Sequence, residues 1–307
     1  MVTKSTLWFR DLTGLERDDP ATVRRNVWPV GEEILCTANA RRIRVGALSL
    51  PSLADLRRKP VRDAGPLDYG EVVADVVDLH RNPANAGALF QVASQFNLLE
   101  MIGPEVTPEH GIAGYASDQT QGPACAMACG AGTLFRNYFV PLDGQSGQTQ
   151  QRQLDAAAEL HDALGGRCWK MRNGYLLPLD GGLARAARLI AQDREALMGR
   201  LRVGLQASTE VTLPGAGHLV NQVYCSAVPV AYTDDATTEW EPLARLVLDA
   251  AYEATFRIAL DLGAPLFLTR IGGGAFGNEA AWIDDAIARA CEMFATSGLQ
   301  VRMVRHG

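Results

Sequence analysis

Three consecutive glycines, Gly272, Gly273 and Gly274, follow an apolar run of strand length, Leu266–Ile271. Ala275, Phe276, Gly277 and Asn278 come next, and a helical pattern opens at Glu279. Glycine permits backbone conformations and close approaches that side chains forbid. Amides gathered beside a helix N-terminus can surround an anion. The chemistry on offer is a phosphate seat; the plainer reading of the same residues is a tight strand-to-helix turn with no ligand. Gly272, Gly274 and Gly277 also spell GxGxxG. A dinucleotide-binding unit, however, places that motif in its first strand–helix unit and needs an acid at the end of the next strand. Here one strand, Leu299–Arg305, follows the loop, and it ends in basic residues. A Walker loop needs Lys-Ser or Lys-Thr after its last glycine, where this chain has Asn278-Glu279.

The elements that must position this loop belong to a chain of 307 residues, 47% hydrophobic, with a net charge of −6. That composition supports a sizeable core. The acidic balance argues against a nucleic-acid-coating surface. No apolar run reaches membrane-spanning length and no signal-peptide pattern opens the sequence, so the expected setting is the cytoplasm, or export by a route without a signal. Six cysteines, Cys36, Cys125, Cys129, Cys168, Cys225 and Cys291, form no CxxC pair. Cys125 and Cys129 are half of a conceivable metal site, but no neighbouring ligand completes it. Buried free thiols, with no metal and no cofactor, are expected.

Residues 1–66 read as an N-terminal extension packed on the remainder. They hold a helical start at Ala21–Val27, strands at Glu33–Thr37 and Arg42–Val45, and a helix signal in Pro51–Arg58. From residue 67 to 307 strand and helix alternate, which predicts a layered α/β domain. Strands are expected at Val72–Leu79, Leu89–Ala93, Trp169–Leu177, Asn221–Tyr232, Leu266–Ile271 and Leu299–Val304. Helices are expected at Pro123–Arg136, Arg152–Ala163, Leu183–Gly204, Glu241–Leu262 and Glu279–Thr296.

The succession from Asn221 to the terminal strand resembles the C-terminal half of a macrodomain. In that family a loop of the form G-[IVA]-[FY]-G wraps the diphosphate of ADP-ribose, and Gly274, Ala275, Phe276 and Gly277 match it position for position. The Gly-x-Gly-Ala-Phe-Gly spelling is similar to the poly(ADP-ribose) glycohydrolase branch. Phe90–Leu99, FQVASQFNLL, is similar to the family's strand-plus-loop of Asn-Ala-Ala-Asn. By that match Gln95 faces the distal ribose, with Asn97 close by. Asp78 would end a strand where many macrodomains hold adenine. The resemblance implies a three-layer mixed sheet flanked by helices, and ADP-ribose or an ADP-ribosylated protein as partner, without nucleic acid or membrane. Two departures stand out. The usual GGGV loop is replaced by Asp118–Tyr138, DQTQGPACAMACGAGTLFRNY, and the paired glutamates of the glycohydrolase branch are missing. ASQFNLLE, DQTQGPA, AGTxxRNY and GGGAFGN together resemble the divergent, MavL-type ADP-ribosylhydrolase macrodomains, which implies an arginine-linked substrate.

Cleaving a glycosidic bond to ribose passes through an oxocarbenium-like state, which a carboxylate can stabilise while orienting water or taking its proton. Asp118 is the first candidate, although an acid before Thr120 is also an ordinary cap or Asx-turn residue. Glu100 is the second candidate, with a solvent-facing helix position as its plainer reading. Gln121 could bond a ribose hydroxyl or the attacking water, or simply shape a turn. Asn85 could close the pocket or mark a turn beside Pro83. Gly122 opens a helix whose amides could face a diphosphate, and Phe276 could pack on the distal ribose. With Gly272, Gly273, Gly274, Ala275, Gly277 and Asn278, these residues outline an ADP-ribosylhydrolase. A reader that binds ADP-ribose without turnover is the alternative.

Overall fold

The computed structural model describes residues 4–305. In the N-terminal region, α1 (Lys4–Thr13) is followed by α2 (Pro20–Asn26). Asp19 starts α2 by accepting from Thr22 N, with Pro20 at the first helical position, where its missing N–H costs nothing. Three short antiparallel strands follow: β1 (Val27–Val30), β2 (Glu33–Cys36) and β3 (Arg41–Arg44). Then come β4 (Ala47–Ser49) and α3 (Leu53–Arg57), the latter closed by a reciprocal capping box between Ser52 and Asp55. The chain continues through β5 (Asp68–Val73), α4 (Val76–Arg81), β6 (Leu89–Ala93), α5 (Gln121–Ala128) and α6 (Gly130–Tyr138). A minimal ladder of β7 (Pro141–Leu142) and β8 (Gln145–Ser146) precedes α7 (Ala158–Ala163) and a hairpin, β9 (Trp169–Arg172) with β10 (Tyr175–Pro178). Helices α8 (Gly182–Ile190) and α9 (Arg194–Gly199) lead to β11 (Gly204–Glu210) and β12 (Leu219–Cys225). Last come α10 (Thr237–Leu262), β13 (Leu266–Leu268), α11 (Ala280–Met293) and β14 (Gln300–Arg305).

Seven strands form the main sheet in the order β4-β11-β12-β6-β13-β14-β5. The five from β12 to β5 run parallel, and β11 and β4 add antiparallel pairings at one edge. Leu89 pairs with Asn221 on one side and Leu266 on the other, which puts β6 at the centre. Its residues are apolar or buried throughout, as a parallel strand covered on both faces requires. One helical group, α10 with α11, α8, α3 and α9, packs together, while α5 packs on β6 and meets α4 and α6. The result is the three-layer mixed α/β architecture expected from the sequence. The N-terminal segment contributes β4 to this same sheet. It also contributes a second core, in which Phe9, Leu12, Val23 and Ile34 meet Leu99, Leu134 and Tyr138. Among the described residues no helix is long and apolar enough to cross a membrane.

Several boundaries differ from expectation for local reasons. The strand expected at Val72–Leu79 stops at Val73, because Asp75 accepts from Val77 N and starts α4. Asp78 therefore lies on an exposed helix face, paired with Arg81 at 2.5 Å, and does not end a strand. The strand expected at Trp169–Leu177 is a hairpin, turned by Asn173 (φ 48°) and Gly174 (φ 79°). The long helix expected from Leu183 breaks where Asp193 caps α9, and β11 replaces its C-terminal end. The small-residue helix divides at Cys129 into α5 and α6. Asn221–Tyr232 is strand only as far as Cys225, and Leu266–Ile271 only as far as Leu268.

Candidate functional site

The carboxyl ends of β12, β6 and β13 lie side by side, and all three chains leave the sheet there. In open parallel sheets such an edge is where ligands bind. A cleft of about 440 Å³ opens there. Its walls are the loop after β6, the turn before α5 and its first residues, and the Thr269–Phe276 stretch after β13. The structure thus brings Gln95, Glu100, Asp118, Gln121, Gly122, Gly272, Gly274, Ala275 and Phe276 to one cavity.

The glycine loop divides into structural and open positions. Gly272 has φ +77°, and a Cβ there would lie 2.5 Å from Ala227 Cβ; Gly277 has φ +70° and would meet Ala231 Cβ at 2.9 Å. These two shape the turn. Gly274 has no positive φ and open space beyond it. Asn278 is buried and clasps the loop, donating Nδ2 to Val228 O at 2.8 Å and its backbone N to Gly272 O at 2.9 Å. Asn278 and Gly277 support the loop from behind, and Gly273 packs towards Ile283, so none of the three lines the cleft. Among the described residues, the amides of Gly274, Ala275 and Phe276 donate to no protein acceptor. Beside them Phe276 joins Tyr175 and Tyr232 in an aromatic wall, with ring centroids 5.0 to 5.6 Å apart.

On the opposite wall the loop Ser94–Met101 is rigidly tied. Gln95 Oε1 accepts from Met101 N at 2.8 Å, and Tyr175 donates its hydroxyl to Met101 O at 2.7 Å. Asn97 is fully buried: it accepts from Leu99 N and donates to Gln153. It shapes the loop from behind and does not reach the cleft. Asn85 likewise lies outside it, in a 3-10 turn where its Nδ2 donates to Leu79 O, and Asp78 faces solvent on α4. Gln121 lines the cavity, but its amide is committed at both ends. Its Oε1 accepts from Ala93 N at 2.9 Å, and its Nε2 donates to Gln91 O at 2.8 Å. It extends the edge of β6 and fixes the start of α5. Gly122 is needed at that junction, because a Cβ there would meet Ala93 O at 2.1 Å.

The two carboxylates differ sharply. Asp118 is partly exposed at the rim, and its Oδ1 accepts from Thr120 N at 2.8 Å in an Asx turn. Glu100 is only 3% exposed. Its backbone N donates to the Tyr115 hydroxyl at 3.0 Å, its Oε1 lies 3.5 Å from Arg136 Nη2, and its Oε2 is buried without a protein partner. Burial pushes this carboxyl up to about 7, against the smaller downward pull of Arg136 and Tyr115. A group poised near neutrality can both give and take a proton. Among the described residues no cluster of three potential metal ligands occurs. Cys125 and Cys129 are fully buried, and burial holds both thiols neutral.

Sequence reasoning missed Tyr175, Tyr232 and the exposed rim residue Ile102. For Tyr175 the signal was present, since Asn173-Gly174 is a hairpin turn that would have placed it.

No protein-family model matches this sequence, and a search of curated proteins finds no match. Among solved structures the chain is similar to poly(ADP-ribose) glycohydrolase from Deinococcus radiodurans. One complex of that enzyme with ADP-ribose is 14% identical, covering 84% of this chain and 86% of that one, with a TM-score of 0.48. A second crystal form of the complex is 15% identical with the same coverage and TM-score. The apo form is 14% identical, covers 84% of each chain and has a TM-score of 0.41.

Proposed function

We propose that the cleft binds ADP-ribose and that the protein is an ADP-ribosylhydrolase, releasing ADP-ribose from a modified protein side chain by hydrolysis at the distal ribose. The observation that carries this reading is one cavity holding unpaired loop amides on one wall and a buried, neutral-range carboxyl on the other. Free amides at Gly274–Phe276 and the start of α5 suit a diphosphate, whose charge they stabilise without a counter-ion. The aromatic wall of Phe276, Tyr175 and Tyr232 suits the flat, partly apolar faces of a ribose or base. Glu100 then stands at the other end, where the anomeric carbon would lie.

In the reaction, the bond from the anomeric carbon to the side-chain heteroatom breaks and water supplies the new oxygen. Glu100 takes the water's proton as the C–O bond forms, and the leaving group departs with a proton of its own or one from solvent. Asp118 at the rim adds a negative charge that stabilises the oxocarbenium-like state. Gln121 positions the wall and does not enter the chemistry. The MavL-type resemblance of the loops points to an arginine-linked substrate within this class.

The test is release of free ADP-ribose from an arginine-modified protein by wild type, Glu100→Gln and Asp118→Asn. Loss of a general base lowers turnover by about 10²- to 10⁴-fold, so Glu100→Gln is expected in that range while still binding ADP-ribose. Full turnover by Glu100→Gln would remove the assignment. Binding without turnover by the wild type, on arginine- and serine-linked substrates alike, would make the protein a reader.

A further inference from the structure

Directly behind Glu100 lies an arginine with no solvent exposure, Arg136 on α6. Its guanidinium is held on three sides. Nε donates to Leu98 O at 2.9 Å, Nη1 to the Tyr224 hydroxyl at 2.6 Å, and Nη2 to Thr133 Oγ1 at 3.2 Å. The Tyr224 ring lies against it, 3.7 Å from Cζ. Tyr224 is anchored in turn: its hydroxyl donates to Gln222 Oε1, and Gln222 Nε2 donates to Cys125 O at 2.9 Å. Only Nη2 reaches Glu100, and at 3.5 Å the contact is long. Charge-assisted N–H···O bonds ordinarily close to about 2.7–2.9 Å. The pair is therefore held short of closure.

We propose that Arg136 and Tyr224 are positioning residues for Glu100: the guanidinium lies near enough to keep the carboxyl ionisable, and the tyrosine hydroxyl holds it back from closing the ion pair. Oε2 is thereby left free to exchange a proton with a molecule in the cleft. The inference rests on the reading of Glu100 as the acid–base group. Glu100 faces Arg136 from α6, Tyr224 from β12, Cys125 from α5 and Tyr115 from the turn before it, and among these Arg136 is the one cation. Burial favours the protonated carboxyl, and Arg136 is the largest opposing influence.

The experiment is a carbon-13 carboxyl NMR titration of Glu100, with Glu100→Gln assigning the resonance, in wild type, Arg136→Gln, Arg136→Lys and Tyr224→Phe. Removing the cation in Arg136→Gln raises the midpoint by about one pH unit or more. Arg136→Lys restores it towards wild type. Tyr224→Phe moves it the opposite way, downward, because the guanidinium loses the hydroxyl that holds Nη1 and is released to close on the carboxylate. General loosening of the core would not give shifts of opposite sign. If Arg136→Gln does not fold, Tyr224→Phe decides alone, since it keeps the charge. A midpoint that is unmoved or raised in Tyr224→Phe overturns the proposal. The titration needs no substrate, so a protein that fails to turn over ADP-ribose but shows these shifts would refute the activity and leave the clamp standing.

Discussion

Glu100→Gln should make the protein more stable at alkaline pH while disabling it. The folded carboxyl titrates at about 7 against an ordinary value of 4.5. Because the folded value lies above the unfolded one, the protonated side chain contributes stability that is complete below pH 4.5 and lost as pH rises through about 7. At about 1.4 kcal/mol per pH unit, the span between those values corresponds to about 3 kcal/mol. A glutamine is neutral at every pH and keeps this contribution. Its extra hydrogens, placed where Oε2 has no partner, add an offset that does not vary with pH. The readout is therefore the slope. Urea unfolding of both proteins from pH 4.5 to 9 should show the variant gaining about 3 kcal/mol on wild type across that range. A difference that stays flat would mean that Glu100 is not a buried, neutral-range acid, and the catalytic argument built on it would fail.

Two further outcomes follow from the geometry. Gly272→Ala should lower stability by more than about 1 kcal/mol, because the residue is held at positive φ and its new methyl would sit 2.5 Å from Ala227 Cβ; an unchanged melting temperature would refute this. Glu253 on α10 is buried among Arg57 at 2.6 Å, Arg257 at 2.9 Å and Arg289 at 3.1 Å. Burial alone would raise its carboxyl, but Arg57 and then Arg257 outweigh that and hold it to about 2. Its contribution is present above the ordinary value of 4.5 and is lost as pH falls towards 2. Glu253→Gln should cost about 1.5–3 kcal/mol at pH 7, because three partly buried guanidinium groups lose a charged partner and two of them retain Glu195, and a loss below 1 kcal/mol in urea unfolding would contradict the network.

The parts of this molecule that follow one local rule were readable from sequence. Leu89–Ala93 is apolar at every position but Gln91 and became the central strand, and the glycine loop sits where strand gives way to helix. What eluded sequence reasoning depends on partners far along the chain. β11, GLQASTE, is largely polar, with a register shift between Gln206 and Thr209; it is a strand because β4 and β12 pair with it on both sides. Asp75 and Asn82 each cap a helical turn near β5, and that local chemistry displaced Asp78 from the strand end. Glu100 read as a plausible surface acid, yet its character is set by α5, α6 and Tyr115 closing over it. Gln121 and Asn97 carry polar groups suited to a ligand and use them to fasten backbone. Residue type identified where polar chemistry gathers; burial decides which of those groups remain free.

Diphosphate binding by the glycine loop is tested by calorimetric titration of ADP-ribose into wild type and Gly274→Glu. Gly274 has open space where a side chain would project, so the variant should fold and melt as wild type does. Its carboxylate would stand among the amides proposed to hold the diphosphate, and like charges there repel. Wild type should bind with micromolar affinity, and the variant should not bind. Equal affinity in the two proteins, or no binding by wild type, would contradict diphosphate binding by the loop.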